Sequence, residues 1–495
     1  MSPRVDAAVV GAGPNGLAAA VVLARAGLSV RVVERAATIG GGARTQELTL
    51  PGFRHDICSA VHPMAMVSGF FRRWGLEDRV EMIVPEVSYG HPVDGGTAGV
   101  AYRDLERTVE GLGVDGPTWR RLFARLVDLE PQISQFTLSP ILQVPRHPAA
   151  VVEFGLRILD QGGPWWDAGL RTPEARALLG GVMAHAIRPM PSLSASAAGL
   201  ALAIHGHGRG WAVPRGGSQS IVDALAADLV AHGGEIETGH EVTDLDELDA
   251  RVALLDVTPR QLVDIAGDRM PAGYRRRLER FRYGGGAAKV DFALSGPVPW
   301  AVDELRRTPT VHRGGTREDI ARAEHDVARG VHPASPFVLA VQPGTVDDTR
   351  APEGQHVLWT YAHVPNGSTV DMTEAITEQV ERFAPGFRDL VLATHSRSAT
   401  ELEQYSPNYI GGDIASGAPS LPQLVARPVL STDPWRTPVP GVYLASSSVP
   451  PGPSVHGLGG AYAARSALRH EFGVRHLPDL SPGATGGVAT SRGRG

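Results

Sequence analysis

The stretch Val5-Asp6-Ala7-Ala8-Val9-Val10-Gly11-Ala12-Gly13-Pro14-Asn15-Gly16, with the thirty or so residues it opens, decides the fold. Val5–Val10 is a short apolar run, the pattern of a buried strand. Gly11–Gly16 then matches G-x-G-x-x-G. In such a turn the first glycine permits the tight bend and the second lets the backbone approach a pyrophosphate. The third lets the following helix pack on the strand. Leu17–Ala26 is rich in Ala and Leu, strong helix formers, and Gly27 suits a helix stop. Leu28–Val33 is a second apolar run, ending at Glu34. Glu34 follows Gly11 by 23 residues, near the ~20 expected of a ribose-binding carboxylate. A helix N-terminus just after the turn favours an anion through its free N–H groups and dipole. Two parallel strands joined by a helix imply an α/β sheet. The unit reads as a dinucleotide site built on Gly11, Gly13, Pro14, Asn15, Gly16 and Glu34, with Arg35 beside the acid.

A second glycine-rich loop, Ile39-Gly40-Gly41-Gly42-Ala43-Arg44-Thr45, follows directly. It suits a cofactor lying extended across the domain. Backbone groups of Gly41 and Gly42, with the Arg44 side chain, would meet its pyrophosphate or flavin side.

Composition limits the alternatives. A chain of 495 residues predicts two or three domain-sized units. With 42% hydrophobic and 20% charged residues it reads as globular. The net charge of −6 offers no basic excess for phosphate backbones, so nucleic acid is not an expected partner. Cys58 is the only cysteine, which excludes an intrachain disulfide and a cysteine-based zinc site. No metal site is expected. Lys289 is the only lysine among 47 basic residues, a bias that suggests GC-rich, bacterial coding. No apolar run approaches the ~20 residues of a membrane span. No signal peptide is read either, so the expected location is cytoplasmic, with peripheral membrane contact left open.

Further along, Trp119–Leu129 and Val151–Leu159 carry helical periodicity among frequent Pro and Gly residues. Ile221–Ala231 reads as a helix, and Glu235–Val242 and Val252–Asp256 read as strands. Ala288–Leu294 and Phe337–Val341 are β-rich. Phe70–Trp74 reads as an amphipathic core helix in preference to a membrane-surface element.

The separated blocks resemble the FAD-dependent amine oxidase and phytoene desaturase superfamily, most closely its phytoene-dehydrogenase-related group. The blocks are Gly11–Gly16 with Glu34 and Gly40–Thr45, Pro51–Asp56, Trp211–Gly217, Ser406–Ile414, and Pro440–Ser447 continuing to Ala464. The resemblance implies a Rossmann-like α/β FAD-binding domain of the glutathione-reductase/amine-oxidase type, with an inserted α+β substrate domain. The implied division gives 1–105, 211–258 and 401–472 to FAD binding. It gives 106–210 (mostly helical) and 259–400 to the substrate domain, and leaves 473–495 as a disordered tail. It implies contacts from Val242 to adenine, and it brings Ser446, Ser447, Val455 and Gly457 to the flavin, with a helix N-terminus near Val455–Gly460. Three departures stand out. Thr243–Ala250 is a short acidic connection where the family has a hairpin. Pro453 and Ser454 replace glycines of the terminal block, and Ser446 replaces another.

Flavin chemistry needs a positioned C–H bond more than a catalytic triad, and no triad motif is visible. Lys289, in Gly284–Leu294, is the leading catalytic candidate, because a related lysine in amine oxidases holds a water near flavin N5. His456, in the terminal block, is the second. His185, His205 and His207 read as packing histidines ahead of a base or substrate-binding role. The resulting reading is an FAD-dependent oxidoreductase that dehydrogenates a largely apolar small molecule at C–C or C–N, by hydride transfer to flavin N5. Oxygen, a quinone or another acceptor would reoxidise it. A redox-neutral flavin isomerase and a non-catalytic flavoprotein acting through a partner or lipid surface are the alternatives. Homodimerisation stays open.

Overall fold

The computed structural model describes residues 4–166 and 168–484. Val5–Val10 forms a strand with the bounds read from sequence and sits in the middle of a five-stranded parallel sheet. The order is Val442–Leu444, Ala250–Leu255, Val5–Val10, Val30–Glu34, Glu235–Thr238. Its central strands are covered on both faces, which explains their unbroken apolar runs. The first helix, Pro14–Arg25, is buried from Asn15 to Arg25. It packs between the helices Gln219–Ala231 and Leu458–Glu471. Only glycine fits at two crossings. A Cβ on Gly16 would lie 2.0 Å from the Gly11 carbonyl oxygen, and one on Gly460 would lie 1.8 Å from that of Asn15.

Arg25 anchors this helix. Its buried guanidinium pairs with Asp228 at 2.7 Å, and Trp74 Nε1 donates to the same carboxylate. Removing one partner of such a pair costs about 3–5 kcal/mol. Arg25 Nη1 also donates to the carbonyl oxygens of Asp479 and Ser481, and Leu480 is buried. Residues 473–484 are therefore packed onto the domain, which corrects the expectation of a disordered tail. Residues 485–495 lie outside the described residues.

A second sheet has seven strands, ordered Val391–Arg397, Gly286–Leu294, His356–Val364, Val338–Val341, Thr310–Arg313, Val87–Val93, Thr97–Tyr102. It is antiparallel except where Thr310–Arg313 meets Val87–Val93. Residues 87–102 thus hydrogen-bond into this sheet, although the sequence division assigned them to the dinucleotide-binding segment. Local sequence does not reveal which sheet a short strand joins.

Each face of this sheet has its own work. Val290, Phe292, Leu358 and Ala362 pack against Ile376, Val380, Phe383 and Phe387 of the covering helices. The opposite face carries Ala287, Leu339, Trp359 and Tyr361 toward the helical insertion, whose Trp119, Leu178, Leu200 and Ile204 complete that core. Phe70, Phe71 and Trp74 are fully buried, as a core helix requires. Exposed apolar side chains lie elsewhere, among them Val144, Val152, Leu156, Leu159 and Trp165. Among the described residues no helix is long and apolar enough to cross a membrane.

Candidate active site

A cavity of about 750 Å³ opens at the carboxyl ends of the parallel strands, lined by Val10, Glu34, Asp256 and Ser446 from four of them or their ends. That is where an open α/β sheet binds ligands. One end of the cavity is polar, with Gly11, Gly13, Asn15, Arg35, Glu241 and Arg260. The other is apolar and aromatic, with Ile187, Ala198, Leu202, Trp211, Trp359 and Tyr361.

Of the expected cofactor residues, Gly11, Gly13, Pro14, Asn15, Glu34, Arg35, Gly41, Gly42, Arg44, Val242, Ser446, Ser447 and Val455 line this cavity. Gly16 and Gly457 do not. Gly16 serves close packing of helix on turn, and Gly457, with φ +67°, is the N-cap of the terminal helix. The Glu34 carboxylate accepts from the Ala12 and Ala36 N–H groups, at 2.8 and 2.9 Å. It therefore braces the glycine turn as well as facing the cavity. Arg44 lines the cavity and also has partners within the chain. Its guanidinium pairs with Glu34 at 3.3 Å, bonds the Thr38 and Ile39 carbonyls and donates to Tyr405 Oη at 2.8 Å. It clamps the second glycine loop with four of its five N–H groups, and one N–H of Nη1 is left for a ligand.

The two catalytic candidates are not brought to the cavity surface. Lys289 shares a sheet face with Trp359 and Tyr361, directly across from Tyr361. Its ammonium, however, is buried against Asp291 and 5.6 Å from the Trp359 ring centre. Behind it lie His55, 3.6 Å from Asp291, and the Asp56–Arg350 pair at 2.8 Å. Burial, then Lys289 and Arg350, push His55 down to about 3. Lys289 thus belongs to a buried ionic cluster behind the cavity wall. His456 is 1% exposed. Its Nε2 donates to the Gly452 carbonyl at 3.1 Å, and its Nδ1 accepts from Leu458 N–H at 3.0 Å. Both ring nitrogens serve the turn that starts the terminal helix, which leaves neither for proton transfer.

Pro453 and Ser454 do line the cavity. Ser454 has φ +121°, a conformation that favours glycine, so the backbone keeps the glycine shape with a serine in place.

Several cavity residues were not read from sequence. Asp256 caps its strand as Glu34 caps another, and that parallel was the available signal. Cys58, Trp359 and Tyr361 come together only through tertiary packing, beside Tyr405 and Tyr409, which the sequence offered equally as an aromatic wall or as buried strand residues. His185 lines the cavity too, whereas His205 and His207 are buried in packing, His207 accepting from Trp119 Nε1 at 3.1 Å.

The family model for flavin containing amine oxidoreductases matches residues 15–269, just over half of the chain. The chain belongs to this family. The rat protein named pyridine nucleotide-disulfide oxidoreductase domain-containing protein 2 is 25% identical, covering 95% of this chain and 94% of its own. Phytoene dehydrogenase of Streptomyces griseus is 29% identical over 79% of this chain and 78% of its own. A solved putrescine oxidase variant superposes with a TM-score of 0.60 at 18% identity, covering 94% of this chain and 98% of that one. The fold is thus the Rossmann-type FAD-binding architecture of the amine oxidase and phytoene desaturase superfamily. FAD is the cofactor of this flavin oxidoreductase family. The site suits it: the glycine turn admits close backbone approach, the first turn of a helix faces the cavity, and the buried Oδ1 of Asn15 has no partner among the described residues.

Proposed function

We propose that this chain is a phytoene-dehydrogenase-like enzyme that removes hydrogen from a largely apolar small molecule, by C–C desaturation or C–N oxidation. The single cavity joining the glycine turn to an apolar, aromatic chamber carries this reading. Bound FAD would supply the hydride acceptor at N5, with oxygen, a quinone or another acceptor downstream. The chain's own contribution is binding and exclusion of water. Trp211, Trp359, Tyr361 and Leu339 wall the apolar end, where burial of substrate surface gives about 25 cal/mol per Å². The likeness to phytoene dehydrogenase favours the same substrate character.

The test is anaerobic titration of the flavin-loaded chain with apolar candidates while the visible flavin bands are followed. Bleaching with matched formation of a product two hydrogens lighter supports dehydrogenation. Conversion without a mass change, and only after prior flavin reduction, would replace it with an isomerase.

A further inference from the structure

A row of histidines, with His91 and His312 buried and His185 half-buried, stands at the apolar end of the cavity. His185 Nε2 lies 2.8 Å from His312 Nε2. The His185 ring stands edge-on to Trp211, 5.5 Å away at 88°, and to His312, 4.9 Å away at 90°. His91 lies on the His312 side and donates its Nε2–H to the Gly315 carbonyl at 3.1 Å. Burial pushes His185 down to about 3 and His91 to about 4, and holds His312 well below its ordinary value. All three are neutral near pH 7.

Neutrality fixes the tautomers. Of two neutral imidazoles bonded Nε2 to Nε2, one must donate. His312 Nδ1 is buried with no partner among the described residues. A proton there would be an orphaned N–H, which costs more than an unfilled acceptor site. His312 therefore carries its proton on Nε2 and gives that hydrogen bond to His185. His185 then carries its own proton on Nδ1, and that atom has no protein partner among the described residues. The ring lines the cavity beside Ile187, Ala198, Ala201, Leu202 and Leu339. An N–H donor thus stands, with the Tyr361 hydroxyl, in a wall of otherwise largely apolar side chains.

The carboxylates that line the cavity are Glu34, Glu241, Asp256 and Asp264. Asp264 lies on the helix Pro259–Ala266, which packs into the core of the parallel sheet although the sequence division gave it to the substrate domain, so all four are in the dinucleotide-binding half. Glu324 is bonded to His363 behind the wall and does not line the cavity. The apolar end thus provides a donor and no counter-charge for a cation.

We propose that His185 binds an uncharged oxygen acceptor, a carbonyl or hydroxyl oxygen, on an otherwise apolar substrate, with His312 as its positioning residue. This rests on the dehydrogenase reading above and narrows it from plain hydrocarbons and charged amines to apolar ketones, aldehydes or alcohols. A ligand without the acceptor leaves the N–H unpaired in a dry wall, the arrangement that discriminates most strongly between otherwise similar ligands.

The test uses three probes of equal chain length, 2-octanone, n-octane and octylamine. Each is titrated into the flavin-loaded chain, with binding read by calorimetry and by perturbation of the flavin bands. The expected result is 2-octanone binding about 10-fold tighter than n-octane, with octylamine weakest. In His185→Phe, checked for folding by its flavin content, the ketone-to-alkane ratio should fall toward one. His185→Asn, which retains an N–H, should recover part of it. A wild-type ratio near one, an unchanged ratio in His185→Phe, tightest binding of octylamine, or no binding of any probe would each overturn the proposal. A His185-dependent ketone preference in a protein whose flavin no ligand reduces would keep the inference and reject the dehydrogenase reading.

Discussion

The carboxylate of Asp256 accepts a hydrogen bond from the Gly16 backbone N–H at 3.0 Å, inside the dinucleotide turn. Burial, with Glu34 adding to it, pushes this carboxyl up to about 7. Between about pH 4 and 7 the folded chain holds a proton that the unfolded chain releases, so stability falls as pH rises through that window. Asp256→Asn should flatten this fall in the flavin-stripped protein. It should also gain about 1–3 kcal/mol over the parent at pH 8. Urea unfolding at pH 5 and pH 8 measures both, and parallel curves for the two proteins would reject the assignment.

Gly460 and Gly155 should respond to alanine in opposite ways. At Gly460 the new Cβ meets the Asn15 carbonyl at 1.8 Å, so the two helices must part beside the cavity. We expect a loss of about 3 kcal/mol and reduced flavin retention. Gly155 lies in the helix Pro148–Gly162 with nothing within 4 Å of its Cβ position. There alanine should add about 0.5–1 kcal/mol through helix propensity. Thermal melts and flavin content of the two variants check this directly.

Ser454 holds a glycine-like φ of +121° at the cavity. Ser454→Gly should relieve strain of about 1 kcal/mol. The expected signature is a higher unfolding midpoint with FAD affinity unchanged or improved. A lower midpoint would show that the serine hydroxyl outweighs the strain.

Lys289→Met removes one half of a buried ion pair and leaves Asp291 facing Asp56 without it. We expect a loss of about 3–5 kcal/mol. The double variant Lys289→Met/Asp291→Leu should be markedly less destabilised than the sum of its singles. The comparison separates a structural lysine from a catalytic one. In the structural case the double variant recovers activity along with stability. A stable but inactive double variant would return Lys289 to the chemistry.

Much of the site was legible where chemistry is local. The glycine turn, Glu34 and the second glycine loop lie within 45 residues and supply nine of the thirteen expected residues on the cavity, while Val242, Ser446, Ser447 and Val455 were implied by the resemblance. Arg44 shows where this stops. A loop arginine beside a phosphate-binding turn reads as a ligand contact. It does line the cavity, but its partners Glu34, Thr38 and Tyr405, which make it a clamp as well, appear only in the folded chain. His456 fails outright, since the carbonyl of Gly452 and the N–H of Leu458 engage both its nitrogens.

The sequence by itself determined the parallel sheet, the dinucleotide turn and the family, because close backbone approach demands glycine at set intervals and buried strands demand apolar runs. Only the tertiary structure decided which side chains face the substrate. Lys289, His185, Trp211 and Tyr361 come from segments far apart in the chain. A strand's two-residue alternation says that neighbouring side chains point to opposite faces, but not which face meets a cavity or which partner already holds a side chain's charge. That is why Lys289 sits behind the wall and His185, held by His312, stands in it.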